Sequence, residues 1–217
     1  MDHLLPPAAR HRPLARTALV TVLHSSGGTG LADDLVRAWA PAVPAAAMST
    51  MLVASGGGGI AETLAQIGRR LGEAGLDASS LVLAGIGGGE ETALQLAFGQ
   101  PALACAGVVA CGDSLPPLRV LRGRPEAGRA KLRLVWTADD PLFCAAALGD
   151  LLRCLRAAGL DAAGAVLQRQ DGPLRQADGR QPSSLPLVRL GRAYLAELVA
   201  VALGSTGRLQ AHLADIG

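Results

Sequence analysis

"LVLAGIGGGEETALQLAFG", residues 81–99, decides how the chain is read. It opens as a short continuous apolar run, passes through glycines, and continues with helix-forming residues. That order reads as a buried strand, a tight turn and a helix. Many enzymes mount a nucleophile on such a turn. Here the middle of the turn is Gly87, which has no side chain.

Working outward, the same alternation recurs. Upstream, "TALVTVL" (17–23) is a buried strand by length and content, and "HSSGGTG" (24–30) is a loop. "LADDLVRAWAPAV" (31–43) predicts a helix with Leu31, Leu35, Val36 and Trp39 on one face. "AAMSTMLVAS" (46–55) carries a second strand, ended by four glycines. "IAETLAQIGRRLGEAG" (60–75) places Ile60, Leu64, Ile67 and Leu71 at helical spacing, with Gly75 as the C-cap.

Downstream, "AGVVACG" (106–112) and "KLRLVWT" (131–137) predict strands around an irregular connection. "LFCAAALGDLLRCLRAAG" (142–159) is a helix, "AAGAVLQRQ" (162–170) the last strand and "LVRLGRAYLAELVAVAL" the closing helix. Between those last two lies a long polar loop, residues 171–186. Repeated strand–helix units with apolar strands imply an α/β fold, a mostly parallel sheet with helices on both faces. The expected organisation is a flexible tail over 1–16, a single domain over 17–204 and a C-terminal tail over 205–217. No internal repeat is visible.

Composition narrows the class. The chain has 217 residues, of which 50% are hydrophobic and only 2% aromatic, so Leu, Val and Ala must build the core. Formal charge is +2, from 20 basic and 18 acidic residues without a basic stripe, and Lys131 is the lone lysine. Five aromatic residues make no stacking platform, so nucleic acid is not an expected partner. Mean hydropathy is positive, yet no apolar run reaches the roughly 18 residues of a membrane span. "TALVTVL" is too short for a secretory leader and lacks a cleavage site. Cys105, Cys111, Cys144 and Cys154 form no C-x-x-C pair and sit in apolar surroundings, which suits buried, reduced thiols in a cytoplasmic protein. Clustered His or Cys ligands are lacking, so neither a metal nor a cofactor is expected.

Residues 61–116, from "AETLAQ" through "GIGGG" to "CGDSLP", resemble the phospholipase/carboxylesterase, dienelactone-hydrolase-like branch of the α/β-hydrolases. "LVTVLHSSGGTG" looks like that family's first strand and oxyanion loop. "LRLVWTADDPLFCAAALGDLLRCLRAAGLDA" is similar to its late strand, acid-bearing turn and following helix. The likeness runs from about residue 17 to about residue 201. It implies an α/β-hydrolase fold and, residue by residue, a serine hydrolase site. The nucleophile position falls on Gly87. The oxyanion donors would be the backbone N–H groups of Gly88 and Ser26.

The acid position falls on Asp140, with Asp139 as the neighbouring alternative; either also suits the cap of the next helix, with Pro141 in its first turn. The base should be a histidine just after the last strand, near Pro173. None is there: the four histidines are His3, His11, His24 and His212. By register His24 belongs to the oxyanion loop as a structural residue. Cys111 and Ser114 fall near the cleft mouth, where core packing and a turn role compete with ligand contact. The candidate binding set is therefore His24, Ser25, Ser26, Gly88, Cys111 and Ser114. Glu90 and Glu91 complement the helix dipole and are not nucleophiles.

Two of three triad positions are thus unfilled, and triad members act as a unit. The first functional expectation is a non-catalytic pseudo-hydrolase. Its former active-site cleft or surface would bind a small anionic or acyl ligand, or a protein partner, and pairing into a homodimer suits the family. The alternative is an active carboxylesterase or thioesterase with a rearranged site built on Ser25, Ser26 or Ser114 with Asp140. A phosphate-loop reading of "GIGGGEE" ranks last, because Glu90 replaces the final glycine and no lysine follows.

Overall fold

A computed structural model describes residues 17–25, 29–53, 59–99, 103–112, 130–138, 141–168 and 186–204. The strands are β1 (Ala18–His24), β2 (Ala46–Leu52), β3 (Leu81–Ile86), β4 (Gly107–Gly112), β5 (Lys131–Ala138) and β6 (Ala162–Gln168). The helices are α1 (Thr29–Trp39), α2 (Ile60–Ala74), α3 (Gly89–Phe98), α4 (Pro141–Ala157) and α5 (Pro186–Ala202). All strand pairs are parallel, in the order β2-β1-β3-β4-β5-β6. The expected terminal tails and the loop 171–185 lie outside the described residues.

Side chains alternate across the sheet and feed two cores. Leu19, Leu23, Leu81, Leu83, Val108 and Leu132 meet α2, α3 and α4 on one face. Val20, Val22, Val82, Ala84, Val109 and Val135 meet α1 and α5 on the other. Burial on both faces explains why the inner strands are continuous apolar runs instead of polar–apolar alternations.

Two boundaries differ from the sequence reading by three residues or more. The first helix stops at Trp39, not at residue 43, because Pro41 cannot donate and a 3-10 turn over Ala40–Ala42 follows. The second strand stops at Leu52, not at residue 55, and its side chains are mostly half-buried, as an edge strand's are.

An ion-pair cluster ties β5 to α5 near the strands' N-terminal ends. Arg133, with only 5% of its side chain exposed, donates to both carboxylate oxygens of Glu197 and to Asp161, whose carboxylate Lys131 also meets at 2.9 Å. Burial works against ionisation of Asp161 and Glu197. The hydrogen bonds and charges of Arg133 and Lys131 outweigh it and hold both carboxyls below their ordinary values of 3.8 and 4.5. A depressed carboxylate pKa gives stability that is full above the unfolded value and is lost as pH falls through the folded one. Arg133→Met is expected to cost about 2–3 kcal/mol at pH 7, because the partly buried Glu197 carboxylate loses its main partner and the more exposed Asp161 one of two. The gap between parent and variant, measured by urea unfolding, should shrink as pH falls below about 4. A gap unchanged from pH 7 to pH 3 would contradict this account.

Candidate functional site

The strand order places the site. After β1 the chain moves to β2 on one side, and β3 lies on the other. In parallel α/β sheets, ligands bind beyond the carboxyl ends of strands that diverge in this way. The segments leaving β1 and β3 at that point are His24–Ser25 and Gly87–Gly88.

The turn after β3 needs glycine for different reasons along its length. Gly87 and Gly88 have φ of 41° and 74°, in the left-handed region that disfavours side chains. A Cβ on Gly85 would lie 2.4 Å from the Cα of Glu90, and one on Gly89 would lie 2.2 Å from the carbonyl oxygen of Leu23. Both are close approaches of α3 to the sheet. A Cβ on Gly87, by contrast, meets no atom of the described residues within 4 Å. Position 87 is the exposed tip of the turn, and among the described residues nothing crowds the side chain that the sequence does not supply.

Ser25 clips the two segments together. Its backbone N–H (3.3 Å) and its hydroxyl (2.7 Å) both donate to the carbonyl oxygen of Gly87. The hydroxyl proton is thereby committed to a carbonyl and not to a base. His24, 4% exposed, turns its Nδ1 to the Ser25 carbonyl at 3.0 Å. A carbonyl only accepts, so the proton sits on Nδ1. The imidazole braces its own loop and is the only histidine among the described residues.

Of the four cysteines expected to be buried, Cys105 and Cys111 are, Cys144 is half-buried and Cys154, on the outer side of α4, is exposed; Cys111 lies at the end of β4 inside the core shared with α5. Burial, reinforced by the charge of Glu90, pushes its thiol up to about 12. Such a thiol stays protonated at neutral pH and is a poor nucleophile. In the sequence Glu90 is a partner for the helix dipole. In the fold it reaches from the first turn of α3 across the end of β4, and a Cβ on Gly112 would lie 3.1 Å from its Oε1. The absent side chain at Gly112 admits that carboxylate, a relation between positions 22 apart that no local pattern encodes. Glu91 stays on the outer face, accepting from Gln95 at 3.1 Å.

Ser26, Ser114, Asp139 and Asp140, and the base position near Pro173, lie outside the described residues. Within the described residues, then, His24, Ser25, Gly87, Gly88 and Glu90 gather at one end of the sheet, with Cys111 beneath. No group of three or more His, Cys, Asp or Glu side chains there could hold a metal ion. No helix among the described residues is long and apolar enough to cross a membrane.

A parallel sheet covered on both faces, with a glycine-hinged turn opening α3 beyond β3, agrees with the α/β-hydrolase fold, and the match to solved esterase structures shows that fold. Several solved structures match over most of this chain. They include the crystal structure of esterase PE8, at 20% identity and a TM-score of 0.56, over 85% of this chain and 94% of that one. The Bacillus cereus carboxylesterase matches at 17% identity and a TM-score of 0.54, over 85% and 90%. Arabidopsis thaliana SOBER1 matches at 14% identity and a TM-score of 0.53, over 86% and 99%. No protein-family model matches the sequence, and no curated protein sequence does either.

Proposed function

We propose that this chain is a non-catalytic member of the hydrolase fold, a cytoplasmic protein that uses the cleft above β1 and β3 for binding. The observation that carries the reading is Gly87: the exposed tip of the turn offers space for a nucleophile and presents none. The lack of a histidine near Pro173 supports it. Attack and proton relay must both be present for acyl transfer, and losing either removes nearly all of the rate.

The backbone N–H groups of Gly88 and Ser26 are the donors proposed to receive the ligand. Glu90, in the first turn of α3 two residues after Gly88, makes a full anion costly, so the carbonyl of a neutral acyl group fits better than a carboxylate. A second copy of the chain, or another protein, is the proposed macromolecular partner. Purified protein is expected to leave short-chain p-nitrophenyl esters unhydrolysed above background. Appreciable turnover would sink the reading.

The competing reading, an active esterase or thioesterase with a rearranged site, draws on the esterase neighbours. A fluorophosphonate probe separates the two, since a labelled Ser25, Ser26 or Ser114 supports rearrangement and an unlabelled chain removes it. Gly87→Ser alone is expected to remain inactive, because the restored hydroxyl has no base. Pairing it with a histidine near Pro173 is the change expected to raise ester hydrolysis. Strong activity from Gly87→Ser by itself, in the same assay, would reveal a base elsewhere in the chain.

A further inference from the structure

Among the described residues the sheet has two edges, β2 and β6, and neither strand carries a charge or a proline of its own: "AAMSTML" and "AAGAVLQ". Uncharged edges of this length are templates for strand addition unless something blunts them. The direction of each backbone group follows from the ladder. In a parallel strand the N–H and C=O of one residue point to the same side, and successive residues alternate. Ala18 N–H donates to Ala45 and Val53 N–H donates to His24, so odd-numbered residues of β2 face β1. Met48, Thr50 and Leu52 therefore face outward. Leu132 N–H donates to Asp161, so by the same rule Ala162, Gly164 and Val166 of β6 face outward.

On each edge, an arginine from the flanking helix already occupies one of those outward carbonyls. Arg156 of α4 donates through Nε to the Ala162 carbonyl at 2.7 Å. Arg70 of α2 donates through Nη1 to the Thr50 carbonyl at 3.4 Å, in the middle of its edge. An incoming strand would have to break a charge-assisted bond at that point and would meet a guanidinium in place of an acceptor.

We propose that Arg70 and Arg156 are edge guards that close both sides of the sheet to strand addition by a second copy of this chain. Association of the folded protein with itself then takes place through other surfaces. The guards act from helices and leave the strands apolar enough to pack.

The test compares the full-length parent with Arg70→Ala/Arg156→Ala by sedimentation velocity and amide hydrogen exchange across rising concentration. The double variant is expected to self-associate about tenfold more tightly than the parent, the effect of one lost charge-assisted bond. The gain should come with new protection of the outward amides of Met48, Leu52, Gly164 and Val166. Arg70→Lys/Arg156→Lys, which keeps a cationic donor at each position, should behave as the parent. If the double alanine variant no longer melts cooperatively, Arg156→Ala alone is read in its place, with protection confined to β6. Unchanged association and exchange in the alanine variants would overturn the proposal, as would protection of those four amides that grows with concentration in the parent.

Discussion

Trp39→Ala is expected to lower stability by about 3–5 kcal/mol, the range for deleting a fully buried large aromatic side chain. Trp39 closes α1, is 0% exposed, and donates its indole N–H to the Val188 carbonyl of α5 at 3.0 Å. Gly191, one turn further along α5, makes room for the ring: a Cβ there would lie 2.5 Å from Cζ2. The loss should appear as a lower urea midpoint, and a change below about 1 kcal/mol would be inconsistent with this packing. A double-mutant cycle gives a sharper check. Gly191→Ala should destabilise the parent through that clash and be close to harmless in the Trp39→Ala background. Because α1 follows the segment carrying Ser25, loosening it should also speed exchange at the Ser25 amide.

Gly89→Ala is expected to cost at least about 3 kcal/mol, at the upper end of overpacking penalties. The new Cβ would sit 2.2 Å from the Leu23 carbonyl oxygen, 2.5 Å from its carbon and 2.8 Å from the His24 nitrogen. All three are backbone atoms of a central strand paired on both sides, so none can rotate away. Gly87→Ala, two residues earlier in the same turn, should cost only about 1 kcal/mol, the strain of a left-handed backbone. Urea midpoints for the two variants test the order directly. Equal losses would mean that the turn does not separate a crowded glycine from an open one.

The same contrast says which parts of the site could be read in advance. That position 87 is glycine, and that no histidine lies near Pro173 just after the last strand, are facts of the sequence alone. The hydrogen bonds of Ser25 to the Gly87 carbonyl were not readable, because they join loops 62 residues apart. Sequence reading also missed the lean of Glu90 across Gly112, since spacing along α3 carries no information about the neighbouring strand. Nor did any pattern mark Arg133: in "KLRLVWT" it looks like one outward charge on a strand. Only the arrival of Asp161 and Glu197, from β6's lead-in and from α5, makes burying it tolerable.

For the fold the balance runs the other way. Strands β1, β3 and β4 are buried at nearly every position, so their local composition alone distinguishes them from helices and loops. Gly75 ends α2 with a φ of 65° and closes its last turn onto Leu71 and Gly72, as its place in the sequence suggested. What composition could not separate was the edge strand β2 from the central ones, because being an edge depends on which neighbour is missing.

Local chemistry, read along the chain, thus determined the alternation of strands and helices and the bare tip at Gly87. The assembled sheet decided the strand order, the crowding at Gly85 and Gly89, the clip of Ser25 and the burial of Arg133. The physical reason is range. Backbone preference and apolar periodicity act over a few residues, whereas steric exclusion and charge pairing act between whichever residues the fold brings within a few ångströms.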